Sequence, residues 1–261
     1  MPKKLHKILL LPALIIILVI SAYFFSGKEN NLEVDFFDVG QGDSALIQAP
    51  GGQNILIDGG PDKKVLKGLG ENLGWRDRKI DLMILTHPHD DHVSGLNEVI
   101  KRYDVEQIVY TGVLHSAPGF LEWLRAFQKN EIPIKIAYKG FKIDLEDGVS
   151  MEVLSPTENM LGKEVKNLNN TSLVIKLRYK DKTFLFIGDA EEEIEQKLLE
   201  ENIKADVLKI GHHGSDTGST EAFLKAVDPE IAVISVGKNN QFGHPDKIVL
   251  KRLEKLNIKV F

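Results

Sequence analysis

The chain has no cysteine among its 261 residues. That removes disulfides, thiolate zinc sites, dithiol redox motifs and cysteine nucleophiles together, so any metal must be held by histidine and carboxylate. It also lacks an excess of positive charge. Lys and Arg number 33 against 38 Asp and Glu, a formal net charge of -5 that becomes more negative once Lys3, Lys4 and Lys7 are set aside. A protein that coats nucleic acid by bulk charge is thereby excluded. The basic density that exists gathers late, in Lys204, Lys209, Lys225, Lys238, Lys247, Lys251, Arg252 and Lys255, where a solvated helix face is the expected role. There is no Gly-x-x-x-x-Gly-Lys-Ser/Thr phosphate loop, no internal repeat and no low-complexity segment.

Long apolar runs are scarce too, with one exception. Residues 8–25 carry no charge and follow Lys3, Lys4, His6 and Lys7. As a helix this run rises about 27 Å, close to the apolar thickness of a bilayer. The basic flank is the side that stays in the cytoplasm, which places the rest of the chain outside. Residues 21–26 offer no clean small-x-small cleavage site, so the expectation is an uncleaved single-pass anchor over 1–25 in the cell membrane; a cleaved segment would make the protein secreted. A polar linker, 26–31, follows.

From residue 32 to 261 apolar strands alternate with amphipathic helices. Strands are predicted over 32–38, 44–48, 54–58, 81–86, 107–110, 134–137, 150–154, 172–179, 182–188, 207–210 and 231–235. Helices are predicted over 65–73, 93–103, 119–130, 191–201, 220–227 and 247–256. This mixture of hairpin-like and helix-separated strands points to an α/β (α+β) sandwich with helices on its outer faces. Gly40-Gln41-Gly42-Asp43-Ser44 imitates a dinucleotide-binding fingerprint, but the residues after it read as a strand where that fingerprint requires a helix.

The densest chemistry is His87-Pro88-His89-Asp90-Asp91-His92, directly after the apolar strand 81–86. Pro88 forces His87 into an extended conformation, and in extended chain residues two apart face one way, so His87 and His89 converge on one ion. Asp91 and His92 fall where the chain turns into a helix and point at a second locus. Further candidates close other strands: Gly188-Asp189, Gly211-His212-His213-Gly214-Ser215 and Gly243-His244-Pro245. In isolation Asp189 is either a ligand shared by two ions or a plain helix cap.

The His-x-His-x-Asp-His run, the later Gly-Asp and a late histidine resemble the metallo-β-lactamase superfamily. Asp38-Val39-Gly40-Gln41-Gly42-Asp43, Leu56-Ile57-Asp58-Gly59-Gly60, 208–215 and Gly243-His244-Pro245 resemble, more narrowly, the hydrolase domain of ComEC-type DNA-uptake (competence) proteins. The resemblance covers about 32–261. It implies a four-layer αββα sandwich, a site at the edge between two sheets, two divalent ions (Zn2+ or Mn2+), and hydrolysis by a metal-held hydroxide. It also implies His87 and His89 on the first ion, Asp91, His92 and His244 on the second, Asp189 between them, and Asp58 supporting the ligands. Where many superfamily members place another histidine, this chain has 167–172, Asn-Leu-Asn-Asn-Thr-Ser, so an amide oxygen or water would complete the first site. Such relatives continue through one further short strand, which implies a C-terminus that is incomplete at Phe261.

The expected activity is an extracellular phosphodiesterase or nuclease acting on DNA, single-stranded DNA included. Asp91 would orient the water, and His212 or His213 would protonate the leaving alkoxide unless that loop serves only as a ligand. Gly214, Ser215 and Thr217 would add donors to the phosphate. The alternatives are a hydrolase of small esters, lactones or lactams, and a metal-stabilised binding module. Structural zinc sites are usually closed and mononuclear, which disfavours the last.

Overall fold

A computed structural model describes residues 31–74 and 77–261; the apolar run 8–25 lies outside them. Among the described residues no helix is long and apolar enough to cross a membrane. In chain order the strands are β1 (Glu33–Phe36), β2 (Ala45–Gln48), β3 (Asn54–Ile57), β4 (Lys79–Ile80), β5 (Leu82–Ile84), β6 (Asp104–Val105), β7 (Ile108–Tyr110), β8 (Ile134–Ile136), β9 (Lys142–Asp144), β10 (Ser150–Ser155), β11 (Val174–Tyr179), β12 (Lys182–Phe186), β13 (Val207–Lys209), β14 (Ile231–Val233) and β15 (Lys259–Val260). The helices are α1 (Val65–Asn72), α2 (Asp90–Ile100), α3 (Pro118–Lys129), α4 (Glu192–Leu198), α5 (Glu221–Val227) and α6 (Lys247–Lys255).

The period-two burial of these strands builds a sandwich. One sheet runs β1-β2-β3-β5-β7-β8, the other β15-β14-β13-β12-β11-β10-β9, and β4 pairs β6 as a separate ribbon. Ile55 and Ile57 of β3, Leu82 and Ile84 of β5, Ile175 and Leu177 of β11 and Phe186 of β12 meet in a core between the sheets. The alternate residues point outward. Leu56 and Met83 pack with Val65, Leu96 and Trp123 of α1, α2 and α3; Leu185 and Leu208 pack with Ile194, Phe223 and Leu253 of α4, α5 and α6. The order helix, sheet, sheet, helix is the expected αββα architecture. Central strands such as β2, β3, β5 and β7 are buried on both faces, which is why the sequence reads as apolar runs more often than as clean alternation.

Two departures bear on the site. Helix α2 begins at Asp90 instead of residue 93, after His89 in extended conformation (φ -74°, ψ 149°). The apolar period starts only at Val93, so a polar first turn is invisible to it, although Asp90 and Asp91 suit the positive end of a helix. Strands β4, β6, β9 and β15 are two or three residues long, too short to show a period. The last of them pairs in parallel with β14 through Ile231–Lys259 and Ala232–Val260.

Candidate metal centre

The parallel strands β3 and β5 of one sheet and β12, β13 and β14 of the other all deliver residues from their C-terminal ends to one edge of the sandwich. Open sheets gather ligands at such ends. Asp58 follows β3, His87 follows β5, Asp189 follows β12, His213 follows β13 and Ser235 follows β14.

Each buried histidine is backed on Nδ1 by an acceptor. The Thr86 hydroxyl donates to Asp58 Oδ2 at 2.7 Å and lies 3.1 Å from His87 Nδ1. With its single proton given to the carboxylate, it can only accept from His87 Nδ1–H. His92 Nδ1 stands 2.9 Å from Asp58 Oδ2. His213 Nδ1 stands 2.9 Å from Ser235 O, against 3.3 Å from Asp43 Oδ1, so its one N–H goes to the carbonyl. In the neutral form of each ring this network leaves the Nε2 lone pair aimed inward, the tautomer a metal ligand requires.

The inward atoms form two groups. His87, His89 and Asp189 make one triad, and Asp91, His92 and His213 the other. Asp189 Oδ2 faces both, at 3.7 Å from His87 Nε2, 3.3 Å from His92 Nε2 and 3.6 Å from His213 Nε2. Asp91 Oδ2 lies 3.1 Å from His213 Nε2. Asp189 Oδ1 and His92 Nε2 are buried and make no hydrogen bond. Orphaned groups of this kind need an explanation, and a donor set of imidazole nitrogens and carboxylate oxygens fits divalent cations.

Electrostatics agree. Burial opposes protonation of His213, yet the carboxylates of Asp189, Asp43 and Asp91 push its pKa up to about 10. Burial likewise opposes the charged form of His92, and Asp189 and Asp58 overcome it. The Asp189 carboxyl would be raised by burial, but His92 and His213 hold it well below the usual carboxylate range. His87 goes the other way, depressed first by burial and then by His92. The carboxylates of the cluster are thus met by His92, His213 and Lys209.

The structure brings together His87, His89, Asp91, His92 and Asp189 as the sequence reading grouped them, and it separates the rest. His213 takes the second-triad position that the reading gave to His244. The ring of His244 stands outside both triads, with Nδ1 3.1 Å from Asp246 Oδ2. His212 and His213 no longer share one role. His213 is 2% exposed inside the triad, whereas His212 is 26% exposed at the mouth, its Nδ1 3.0 Å from Thr217 Oγ1 and 3.6 Å from Glu191 Oε1. Both carry left-handed backbone, φ 44° and 53°, a conformation a non-glycine residue holds only when its surroundings impose it.

The asparagines of 167–170 are lashed to the start of α4. Asn170 Oδ1 accepts from Glu191 N–H while its amide donates to Glu193, and Asn167 donates to Glu191. Asn169 also donates to Glu191, and its buried Oδ1 lacks a partner. Two of the backbone donors expected for a phosphate are occupied: Ser215 N–H donates to His212 O, and Thr217 N–H to Ser215 Oγ.

Sequence reasoning missed Asp43, Lys209, Glu191 and His115. Lys209, assigned to a solvated face, is 4% exposed, 2.7 Å from Asp43 Oδ2. Asp43 belongs to the glycine-rich run set aside as a false fingerprint. At Gly42 (φ +140°) a Cβ would fall 2.3 Å from Asp91 O, and Asp43 N–H donates to that same carbonyl, so the glycine lets this loop close under the first turn of α2. His115, with its ring 6.2 Å from that of His89, carries no pattern that marks it.

Asp58 holds the network together. It accepts from Thr86 N–H, Thr86 Oγ1–H and His92 Nδ1–H at φ 57°, which asparagine tolerates. In Asp58→Asn an NH2 must face at least one of these donors. Metal affinity should fall about 10–100-fold, read by competition with a chelator of known affinity; an unchanged affinity would refute the supporting role.

A model of the Metallo-beta-lactamase superfamily matches residues 37–238. The chain is similar to ComE operon protein 3 of Bacillus subtilis (strain 168), 33% identical over 247 residues that cover 87% of this chain and 31% of that one. To competence protein ComA of Neisseria gonorrhoeae it is 30% identical over 243 residues, covering 89% and 31%. The chain thus spans about a third of the length of these curated relatives. Among solved structures it is similar to Igni18, a metallo hydrolase from the archaeon Ignicoccus hospitalis KIN4/I, with TM-score 0.56 and 18% identity over 88% of this chain and 94% of that one. At that identity the likeness speaks to the fold.

Proposed function

The chain belongs to the metallo-beta-lactamase superfamily and is a metal-dependent hydrolase; from that premise we propose that it cuts phosphodiester bonds in DNA with two divalent ions, Zn2+ or Mn2+. His87, His89 and Asp189 would hold the first ion and Asp91, His92 and His213 the second, with Asp189 Oδ2 near enough to the histidines of both groups to serve both. The observation that carries the reading is Asp189 Oδ2, within 3.7 Å of the Nε2 atoms of three histidines whose Nδ1 sides are all backed. Similarity to a competence protein over 89% of the chain supports DNA ahead of a small ester or lactam.

Divalent ions in such a site lower the pKa of a water and stabilise charge on the phosphoryl oxygens. The chain's own residues do the rest. Asp91, 32% exposed beside the buried His213, is the carboxylate open to incoming water and orients it. His212, outside the triads, donates a proton from Nε2 to the departing alkoxide while Thr217 and Glu191 steer its Nδ1 side. The reading includes location: residues 8–25 anchor the domain outside the membrane, supported by the lysines that precede them.

The full chain supplied with Zn2+ or Mn2+ is expected to cut single-stranded DNA and a phosphodiester analogue and to leave a lactam intact. His89→Ala should slow cleavage about a hundredfold. Cleavage that survives both chelation and His89→Ala would overturn the metal reading, and turnover of the lactam alone would replace the substrate class.

A further inference from the structure

Beyond the triads a row of rings leads outward. The ring of His213 lies 6.1 Å from that of His212, His212 5.9 Å from His244, and His244 6.0 Å from Phe242, the last pair parallel to within 13°. Phe242 ends the row with 59% of its surface exposed, and it belongs to none of the hydrophobic cores. An aromatic ring held in water and outside every core contributes little to folding.

Its loop is nevertheless built with care. The Asn240 side chain alone serves four backbone groups: Nδ2 donates to Gly237 O at 2.9 Å and His244 O at 2.7 Å, and Oδ1 accepts from Phe242 N–H at 3.0 Å and His244 N–H at 3.1 Å. Gly237 N–H donates to Gln41 Oε1 at one end, and at the other Asp246 N–H donates to Gly214 O, in the loop that carries His212 and His213. His244 Nδ1 is tied to Asp246. Phe242 is therefore displayed on a pre-organised support whose position is referred to the metal centre. Lys238 and Lys247 flank this segment, both exposed and in no ion pair among the described residues.

From this we infer that Phe242, backed by His244, is a stacking platform for an unpaired nucleobase of the strand being cut, which selects single-stranded DNA. The inference rests on the phosphodiesterase reading above. A ring with one open face offers its π surface to any base, so recognition is tolerant of sequence, and neighbouring lysines meet the backbone phosphates. Bases stacked inside a duplex cannot reach it. His244 acts as the ring behind Phe242, which accounts for its place outside both triads.

The test compares a single-stranded oligonucleotide with the same strand carrying abasic sites, using the full chain. The wild type should favour the base-bearing strand roughly tenfold in kcat/KM. Phe242→Ala should erase that preference with the loss falling on KM, and Phe242→Trp should restore it. An equal loss on both strands, or no loss, would overturn the platform. Anisotropy of labelled strands repeats the comparison without turnover. Tighter binding of the base-bearing strand that vanishes in Phe242→Ala supports the platform even where nothing is cut, in which case the hydrolytic reading alone falls. Cutting without any distinction between strands removes the platform and leaves hydrolysis standing.

Discussion

Asp189→Asn should lower DNA hydrolysis about a thousandfold, roughly 4 kcal/mol in the barrier, in a protein that remains folded. The substitution keeps the shape and removes the charge. In the wild type Asp189 Oδ2 is the only carboxylate oxygen among the described residues that lies within reach of His87, His92 and His213 alike. An amide there puts either a neutral oxygen or an NH2 where two cations would share a ligand, and both triads weaken together. The backbone keeps its contacts, and His92 and His213, whose protonation Asp189 favours, can become neutral when that charge is removed. Asp189 N–H still donates to Ser172 Oγ, and the flanking Ile187 and Ala190 remain in the core under α4. Elemental analysis should find less than the wild-type metal content, and chelated wild type and variant should melt within a few degrees of each other. Full metal content with a wild-type rate would refute the bridging role. A large loss of stability in the chelated variant would make Asp189 structural. Asp58→Asn is expected to be milder because Asp58 acts through His92 and Thr86 and leaves every direct ligand in place.

Much of the sandwich was legible because the strands that build it are long enough to show a period and the helices between them are amphipathic. The run from His87 to His92 was legible for a different reason: a loop has no structural need for three imidazoles in six positions, so density alone marks it. The choice between His213 and His244 was not legible. Both follow a strand of the same sheet, and the distinction depends on how far each loop reaches toward α2. Helix α2 belongs to the other half of the chain, and Gly42 fixes its approach. Lys209 could have been caught. Leu208 packs toward the helices, so the period of two turns Lys209 inward, between the sheets, where a lysine must have a carboxylate. The sequence pattern held that contradiction, but the surrounding lysines of the last quarter disguised it as surface. Phe242 was invisible because a single aromatic in a polar loop gains meaning only from the rings behind it.

Lys209→Met should cost the chelated protein about 3–5 kcal/mol, lowering Tm by roughly 10 °C. The reason is the partner left behind. Lys209 Nζ lies 2.7 Å from Asp43 Oδ2, the two side chains being 4% and 8% exposed, and also donates to Ile210 O. Burial alone would raise the Asp43 carboxyl, and Lys209 is the foremost of the charges that instead lower it. Methionine fills the same space without supplying a charge, so Asp43 stays buried and loses the foremost of its cationic partners, with His213 Nδ1 at 3.3 Å left beside it. Asp43→Asn added to Lys209→Met removes that charge and should recover most of the loss, since a buried ion pair as a whole contributes far less than the cost of breaking one half of it. Chemical denaturation of the two single variants and the double variant gives the coupling directly. Additive losses would show that Lys209 and Asp43 are independent and that the pair is not what braces the His213 loop. A large coupling, together with weaker metal retention in Lys209→Met, would place the brace two side chains behind the second triad, in a residue that never touches the ion.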